Sequence, residues 1–503
     1  MVREPAIVII GAGLGGIAQA IELQRYGFSD ITILEKASGL GGTWFYNTYP
    51  GAACDVPSHL YSFSYARRRD WSRLCSSQAE ILDYLSEVAR RHGVDQLITY
   101  GVEVRSCAWE GATRRWTVAA VDGRTWECDS VVVATGQLHR RRYPDIPGRD
   151  TFAGHQFHSA EWDHNYELDG KRVAVVGTGA SAVQFVPDIA PRVSRLSVFQ
   201  RTGNWFFPRK NRAYPAFIKA AIRFIPGVQA YRRWFIYQYA EALTFMIRHP
   251  KTLGRVGQAQ SSIFMRSQLK DPEIRHKVWP DYTFGCKRVL FSSSFLTTLQ
   301  RENVDLVTEA ITRITPAGLI TADSTEREVD CIIWATGFHT TEFMFPMEIT
   351  GACKRSLRDT WKNGAHAHLG MTVPGFPSLF ILYGPNTNTS GGSIIFYLEN
   401  QATYIRQALQ QVQQRGAAAI DVRPEVAASS DQDTQARFIG TAWTQCDSWY
   451  RTEQGRIVAN WPGYMREYSA RTRTLNPDEF TFLPSPEPAT STPAPDSPTT
   501  RSK

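Results

Sequence analysis

Residues 152–182 read FAGHQFHSAEWDHNYELDGKRVAVVGTGASA, and the second half of this stretch has the pattern of a β-strand that runs into a glycine-rich turn. The same arrangement occurs earlier, where residues 6–21 read AIVIIGAGLGGIAQAI. The two patterns begin about 165 residues apart. A strand, a glycine turn and a helix form the unit with which parallel α/β sheets bind dinucleotides. The repetition therefore predicts two dinucleotide sites in one chain.

The first pattern has the spacing that a dinucleotide site requires. AIVII is a short β-branched run, typical of a buried parallel strand. Gly11 allows the tight turn, Gly13 lets the backbone approach a pyrophosphate, and Gly16 lets the helix pack closely on the strand. The next strand, ITILE, ends at Glu35, which stands 19 residues after Gly16 and can bind ribose hydroxyls. Because a carboxylate repels a 2′-phosphate, this site favours FAD or NAD over NADP.

The second pattern differs from the first at its tip, which is the residue 19 positions after the glycine turn, at or just after the end of the second strand. Its turn consists of Gly177, Thr178, Gly179, Ala180, Ser181 and Ala182. The following strand, LSVF, leads to Arg201 and Thr202, and Arg201 again stands 19 residues after the last small residue. A guanidinium at this position suits the 2′-phosphate of NADP. Two nucleotides of different type indicate hydride transfer from NADPH to FAD.

Chain length, charge and hydrophobic pattern limit the classes of protein to which the chain can belong. A chain of 503 residues is expected to form two or three domains. The net charge of +8 comes from scattered Lys and Arg, so we expect anionic cofactors and no nucleic-acid binding. No run approaches the roughly 18 apolar residues of a membrane span. The apolar N-terminus is interrupted by glycines and carries Glu22, unlike a signal peptide, so a cytoplasmic location is expected.

The cysteines show neither a CxxC pair nor the spacing of a metal site. We therefore expect reduced, mostly structural thiols. His366 and His368 form no convincing ligand set, and no metal is expected. The eight cysteines are Cys54, Cys75, Cys107, Cys128, Cys286, Cys331, Cys353 and Cys446.

Several further elements can be placed. Residues 78–91 and 393–414 read as helices, and DSVVVATG at 129–136 and DCIIWATGF at 330–338 read as buried strands that end in glycine turns. A helix-rich, aromatic stretch covers about 203–280 and includes RRWFIYQYAEALTFMIR at 232–248. We interpret that segment as a core or lid helix, with a membrane-surface or partner-docking helix as the alternative.

Two longer motifs carry a family resemblance. GGTWFYNTYPGAACD at 41–55 and FAGHQFHSAEWD at 152–163 resemble the fingerprints of type I Baeyer–Villiger monooxygenases, a branch of the flavin-containing monooxygenases. The second follows the pattern FxGxxxHxxxW through Phe152, Gly154, His158 and Trp162. The resemblance extends to about residue 480. His158 stands on the connector between the two units, where a structural role is preferred over that of a general base.

The resemblance implies roles for individual residues. Arg288, in GCKRVLFSSSF at 285–295, would be the catalytic arginine beside the flavin, held by Asp55. Trp449, in CDSWY at 446–450, would contact NADP from a closing C-terminal segment. The FAD contacts would be Gly11, Gly13, Gly16, Glu35, Thr43, Trp44, Asp55, Tyr61 and Val104. The NADP contacts would be the turn 177–182 with Gln184, Arg201, Thr202 and Lys287.

Such an arginine has a physical purpose. In the implied reaction, NADPH reduces FAD, O2 adds to give a flavin peroxide, and the peroxide attacks a ketone carbon. An anionic oxidant in a site that excludes water needs a compensating charge, and a guanidinium supplies it without losing its proton. The same group stabilises the oxyanion of the tetrahedral adduct.

The predicted fold is α/β, with two Rossmann-like domains and a helical insertion in the second. We expect the first part of an FAD domain at 1–145, a connector at 146–170 and an NADP domain at 171–365. The second part of the FAD domain, with the NADP-closing segment, would cover 366–483. A Pro/Ser/Thr-rich tail at 484–503 is predicted to be disordered.

The predicted function is oxygen insertion beside the carbonyl of a small apolar ketone, giving an ester or lactone. The nearest alternative is oxygenation of an amine or sulfide with the same cofactors. A disulfide or ferredoxin-type reductase is disfavoured because no CxxC pair stands beside the flavin region. A nucleotide-sensing protein without catalytic activity is a third alternative. The aromatic residues that suggest an apolar substrate are explained equally well by core packing.

Overall fold

The structure, a computed structural model, describes residues 4–209, 211–389 and 391–486. The strands are Ile7–Ile10 (β1), Ile31–Glu35 (β2), Ile98–Tyr100 (β3), Val104–Glu110 (β4), Arg115–Ala120 (β5), Thr125–Cys128 (β6), Ser130–Val133 (β7), His155–His158 (β8), Arg172–Val176 (β9), Arg195–Phe199 (β10), Phe206–Phe207 (β11), Leu290–Phe291 (β12), Val304–Val307 (β13), Ile311–Ile314 (β14), Gly318–Thr321 (β15), Glu326–Glu328 (β16), Cys331–Trp334 (β17), Glu348–Thr350 (β18), Leu379–Ile381 (β19), Ala417–Val422 (β20) and Phe480–Pro484 (β21). The α-helices are Leu14–Arg25 (α1), Thr43–Tyr46 (α2), Gln78–Arg91 (α3), Ala180–Ile189 (α4), Ala216–Phe224 (α5), Val228–Arg248 (α6), Leu253–Gln268 (α7), Pro272–Val278 (α8), Phe295–Thr298 (α9), Leu357–Thr360 (α10), Ile394–Gln414 (α11), Pro424–Ala436 (α12) and Met465–Thr472 (α13).

The first glycine pattern lies in a five-stranded parallel sheet with the order β19-β7-β1-β2-β3. All four residues of β1 are buried, as expected for a central parallel strand with both faces covered. Ile9 pairs with Ile33 on one side and with Val132 on the other. Helices α1 and α11 pack together on this sheet, so a C-terminal helix completes a domain that begins at the N-terminus.

The second glycine pattern lies in a separate parallel sheet with the order β13-β10-β9-β17-β8. Strand β8 belongs to the motif 152–163, and it pairs with β17, which leads into the second ATG turn. A mixed sheet, β18-β4-β5-β6, in which only β18 and β4 are parallel, covers one face of the first sheet, and the core between them includes Trp116 and Val131. The predicted α/β fold with two dinucleotide-type sheets is confirmed.

The predicted helices over 78–91 and 393–414 correspond to α3 and α11. The helix-rich stretch at about 203–280 contains α5 to α8. One side of α6 enters the core of the second domain through Leu243 and Ile247. The predicted disordered tail begins at 484, but β21 includes Pro484, which pairs with Ala417. Residues 487–503 of that prediction lie outside the described part of the chain.

Within the described ranges, no helix is both long enough and apolar enough to cross a bilayer. One expectation about the cysteines is wrong, because Cys286 and Cys446 form a disulfide. Their Cα atoms are 6.1 Å apart although 160 positions separate them in sequence, so spacing along the chain gave no sign of the pairing. Of the other cysteines, Cys353 is free and exposed, and the remaining five are free and buried.

Candidate active site

The first glycine turn accepts only glycine at two of its three positions. Gly11 has a φ of +106°, and a Cβ there would lie 2.7 Å from the carbonyl oxygen of Ala134. A Cβ at Gly16 would lie 1.9 Å from the carbonyl oxygen of Gly11. Helix α1 begins directly after Gly13, which provides no side-chain cap. The first N–H groups of α1 are therefore available to an anionic group, as a pyrophosphate site requires.

Glu35 lies against this turn. Its carboxylate accepts hydrogen bonds from the backbone N–H of Ala12 at 2.7 Å and of Ala37 at 2.8 Å. The carbonyl oxygen of Glu35 accepts a hydrogen bond from the N–H of Val102, two residues before Val104. The structure thus brings the predicted ribose ligand and the segment of the predicted adenine contact to one end of the sheet. The contacts of Glu35 and Val104 with a cofactor stay predictions.

The motif at 41–55 packs beside the same turn. A Cβ at Gly42 would lie 3.1 Å from the Cα of Gly13, so the two backbones nearly touch. Thr43 and Trp44 follow in α2. The indole N–H of Trp44 donates to the hydroxyl of Tyr61 at 3.1 Å, and the two rings meet edge to face. These residues, which sequence reasoning placed near the flavin, form one continuous wall next to the first turn.

The second turn repeats the geometry of the first. Gly177 has a φ of +111°, and a Cβ there would lie 2.4 Å from the carbonyl oxygen of Ala335. Helix α4 begins at Ala180 without a side-chain cap from Gly179. A Cβ at Gly179 would meet no atom within 4 Å, so the space above the helix N-terminus is open. Both turns therefore fit the pyrophosphate of a dinucleotide.

Basic side chains stand near the tip of the second unit. Arg201 is exposed and Thr202 is half-buried directly after β10. Lys287 lies with its Nζ 4.8 Å from the ring centroid of Tyr282. Burial, followed by the nearby Arg201 guanidinium, lowers the pKa of Lys287. A bound phosphate would reverse that effect, since it would supply the negative charge that this pair of cations lacks.

Asp55 and Arg288 meet across the two domains. One guanidinium nitrogen, Nη2 of Arg288, donates to Oδ1 of Asp55 at 2.8 Å and to Oδ2 at 2.7 Å, although 233 positions separate the residues. The side chains are 18% (Asp55) and 30% (Arg288) exposed. Burial alone would raise the pKa of Asp55, but the guanidinium outweighs it and holds that pKa below its usual value. Asp55 in turn raises the pKa of Arg288, so both groups stay charged.

Gln184 on α4 ties the second unit to the first. Its Oε1 accepts hydrogen bonds from the Tyr49 hydroxyl at 3.1 Å and from the Ala53 N–H at 3.2 Å. Its Nε2 donates to the Ala53 carbonyl oxygen at 2.9 Å. A Cβ at Gly51 would lie 2.7 Å from the carbonyl oxygen of Gln184, so only glycine fits this contact. Gln184 thereby positions the loop that carries Asp55, and its predicted contact with NADP stays a prediction.

Sequence reasoning missed Arg209. Its Nη2 donates to the carbonyl oxygen of Cys54 at 2.9 Å, and its charge helps to lower the pKa of Asp55. In the sequence it stands two residues after the buried run Trp205–Phe207, but nothing in that pattern points to Asp55, which lies about 150 positions away. Asp55 thus faces two arginines from the second half of the site.

The disulfide joins the loop of Lys287 and Arg288 to the C-terminal segment. Cys286 directly precedes Lys287, and Cys446 stands three residues before Trp449. The carbonyl oxygen of Trp449 accepts a hydrogen bond from the hydroxyl of Thr340 at 2.8 Å. Trp449, predicted to close over NADP, is thus covalently tied to the region of the predicted phosphate ligands.

His158 acts as a connector in the structure. Its Nδ1 accepts a hydrogen bond from the N–H of Ala160 at 3.1 Å, so Nε2 carries the proton and donates to the carbonyl oxygen of Gly337 at 3.2 Å. These bonds hold the second ATG turn against β8, in agreement with a structural role. Among the described residues, no three His, Cys, Asp or Glu side chains are grouped so that they could hold a metal ion.

The two glycine turns, one with an acidic and one with a basic residue at its tip, define a class of protein. Residues 8–223 match the family model described as pyridine nucleotide-disulphide oxidoreductase. Among solved structures, the chain is similar to an oxidized steroid monooxygenase bound to NADP, with 27% identity, a TM-score of 0.86 and coverage of 95% of this chain and 99% of that one. A closed cyclohexanone monooxygenase gives the same identity and TM-score, with coverage of 96% and 100%. The class is therefore an oxidoreductase with two dinucleotide-binding domains.

Curated relatives give the family. A Baeyer–Villiger monooxygenase of Streptomyces coelicolor is 42% identical, over 95% of this chain and 92% of the relative. A Baeyer–Villiger monooxygenase of Pseudomonas aeruginosa is 36% identical, over 96% and 92%. The chain belongs to the Baeyer–Villiger monooxygenase family. The predicted family is confirmed, and with it the predicted activity of an FAD-dependent, NADPH- and oxygen-consuming monooxygenase.

Proposed function

We propose that this enzyme converts a small apolar ketone into an ester or lactone at the Asp55–Arg288 pair. The observation that carries the proposal is the partly buried, hydrogen-bonded contact between these side chains, which come from the two halves of the site. FAD, when bound and reduced by NADPH, supplies the activated oxygen. The names of similar proteins support the substrate class, since cyclohexanone and the steroid monooxygenase substrates are apolar compounds.

Arg288 supplies a permanent positive charge to the reacting centre. Only Nη2 is engaged by Asp55, so the other guanidinium nitrogens can donate to an oxyanion. Since the carboxylate holds the pKa of Arg288 high, the group keeps its proton throughout turnover. Asp55 orients the guanidinium, and Gln184 fixes the loop on which Asp55 stands.

The remaining site assignments belong to the same proposal. Around FAD these are Gly11, Gly13, Gly16, Glu35, Thr43, Trp44, Asp55, Tyr61 and Val104. Around NADPH they are residues 177–182, Gln184, Arg201, Thr202, Lys287 and Trp449. The division into an FAD domain at 1–145 and 366–483 and an NADP domain at 171–365 follows from these assignments. The cytoplasmic location stays a prediction.

The test compares Arg288→Ala with the unchanged enzyme, each saturated with FAD. Removal of the guanidinium should leave NADPH oxidation measurable but lower the rate of ester formation by about 10²- to 10³-fold, the usual effect of losing one stabiliser of an oxyanion. NADPH consumption would be followed by absorbance and products by gas chromatography, with cyclohexanone, a steroid ketone and a thioether as substrates.

Arg313→Ala is a matched control, because Arg313 is exposed on β14 and is not one of the assigned site residues. Normal ester formation by Arg288→Ala would refute the assigned role of this arginine. Sulfoxide formation without ester formation by the unchanged enzyme would instead identify a heteroatom oxygenase.

A further inference from the structure

Helix α6 has a second apolar face, whose large side chains are exposed to solvent in the described part of the chain. Ile236, Ala240 and Leu243 are buried on its inner side. Tyr231, Trp234, Phe235 and Phe245 are exposed. Trp234 and Phe235 stand three and four residues after Tyr231, and Phe245 stands ten residues after Phe235. These spacings place all four side chains together on the opposite side of the helix. An ordinary surface helix carries polar residues there, so this face is unusual.

Helices α5 and α7, which contact α6, carry further exposed apolar side chains. The most exposed of its members is Phe224, at 72%, near the end of α5. Of the eighteen large apolar side chains that are exposed among the described residues, eleven lie between positions 217 and 263. We call these eleven the outer face: Phe217, Phe224, Ile225, Tyr231, Trp234, Phe235, Tyr239, Phe245, Leu253, Val256 and Ile263. Such concentration of exposed apolar side chains marks an interaction surface.

The charge of the same segment is strongly one-sided. Residues 204–270 contain twelve Lys or Arg and a single acid, Glu241. The segment therefore has a formal charge of +11 in a chain whose total is +8, so the rest of the molecule is slightly acidic. Residues 216–268, from the start of α5 to the end of α7, hold eight of these cations and the one acid, a formal charge of +7, although no long block of Lys or Arg marks them in the sequence.

Four cations at or near this surface are available to bind an anionic group of a partner. Arg223 is exposed and holds its guanidinium 5.4 Å from the ring centroid of Phe224. Lys251, Arg255 and Arg266 are exposed on or next to α7. Within the described part of the chain, none of these four forms an ion pair with a carboxylate. Their charges are not neutralised by the fold.

We propose that the outer face docks reversibly on a membrane surface that contains anionic lipids, with α5 to α7 lying in the plane of the interface. Aromatic side chains enter the boundary between headgroups and acyl chains, while Lys and Arg attract anionic headgroups. A second copy of this chain does not fit as the occupant, because a symmetric contact would bring two surfaces of the same strong positive charge together. The proposal does not depend on the proposed function, because it uses no residue of the oxygenating site.

The test uses the FAD-loaded enzyme and vesicle co-sedimentation. The unchanged protein should sediment with vesicles of phosphatidylglycerol and phosphatidylcholine in equal amounts, and much less with phosphatidylcholine alone or at high salt. The double variant Phe224→Asp/Phe235→Asp should bind anionic vesicles at least about tenfold more weakly, since two inserted rings are replaced by anions.

Ile439→Asp is the matched control, because Ile439 is 80% exposed but lies outside the outer face. It should bind like the unchanged protein. A second variant, Arg223→Glu/Arg255→Glu, keeps the apolar face and should also lose binding to anionic vesicles. Both double variants should keep the NADPH oxidation rate, which shows that they fold.

Three results would overturn the proposal. The unchanged protein could fail to sediment with anionic vesicles. The Ile439→Asp control could lose as much binding as the double variants. Light scattering could show a dimer of the unchanged protein that the Phe224→Asp/Phe235→Asp variant does not form, which would make a second copy the occupant of the outer face.

Discussion

The two glycine turns have the same backbone but different tips. Gly11 and Gly177 have φ values of +106° and +111°, and in each case a Cβ would collide with the carbonyl oxygen of the alanine in an ATG turn. The tips then diverge, with a buried Glu35 in the first unit and an exposed Arg201 in the second. This difference supports the proposal that the shared backbone binds the part common to both dinucleotides and that one side chain per unit distinguishes them.

The largest expected effect comes from replacing the first glycine of one turn at a time by alanine. Gly11→Ala should yield protein without FAD or no folded protein, because a positive φ and a contact of 2.7 Å together cost about 3 kcal/mol or more. Gly177→Ala should keep FAD and lose reduction by NADPH. Flavin absorbance and NADPH-dependent bleaching measure the two outcomes. Gly179→Ala is the control for the fold, since its Cβ meets no atom within 4 Å.

If Gly11→Ala and Gly177→Ala lost the same cofactor, the assignment of one nucleotide to each turn would be wrong. A Gly179→Ala protein that failed to fold would show instead that the second turn tolerates no side chain for reasons other than the ligand.

The disulfide ties the loop of Lys287 in the second unit to the C-terminal segment of Trp449, so its removal should affect the predicted NADP site. Replacing Cys286 and Cys446 together by Ser should lower the free energy of unfolding by about 3 kcal/mol, because the crosslink closes a long loop. NADPH affinity should fall while FAD content stays unchanged. Urea denaturation and NADPH titration measure these effects, with the exposed free thiol in Cys353→Ser as control. Unchanged stability would contradict the presence of the crosslink in solution.

Removing the basic side chains near the end of the second unit should alter nucleotide preference without altering the fold. Arg201→Ala combined with Lys287→Ala should raise the KM for NADPH by about 30-fold, since charge-assisted hydrogen bonds of about 2 kcal/mol in total are lost. The KM for NADH should stay nearly constant, because NADH has no 2′-phosphate. Steady-state kinetics with both nucleotides check this, and an equal loss for NADH would show that the two side chains do not recognise the phosphate.

The smallest effect concerns one buried histidine in each unit. Burial lowers the pKa of both His59 and His158 from 6.5 to about 4. The unfolded chain therefore binds more protons between those pH values, so each histidine lowers the stability of the fold as pH falls from 6.5 towards 4. The slope is about 1.4 kcal/mol per pH unit for each group.

His158→Gln should flatten this decline, which urea denaturation at pH 7.5 and pH 5.5 would measure. His59→Leu should do the same with less loss at pH 7.5, since neither ring nitrogen of His59 has a hydrogen-bond partner within the described residues. An unchanged pH dependence in both variants would mean that these histidines are protonated in the folded protein.

Features that depend only on neighbouring residues could be predicted from the amino-acid sequence. Strands β1 and β9, their glycine turns and helices α3 and α11 follow from hydrophobic period and from glycine spacing, which act within one turn or one strand. The charges at the two tips followed from the same spacing. The family resemblance added Asp55 and Arg288 as partners, which the residues alone did not show.

Tertiary structure decided which distant residues meet. The 2.7 Å contact of Asp55 with Arg288, the approach of Arg209 and the disulfide each join positions more than 150 residues apart. Whether α6 is a core helix or a docking helix was also open in the sequence, because both of its sides are apolar. Burial of Ile236 and exposure of Trp234 show that one apolar face lies in the core and the other faces solvent, which is the face that we propose for docking. Such outcomes depend on how two separate sheets and an insertion pack together, and no local pattern encodes that packing.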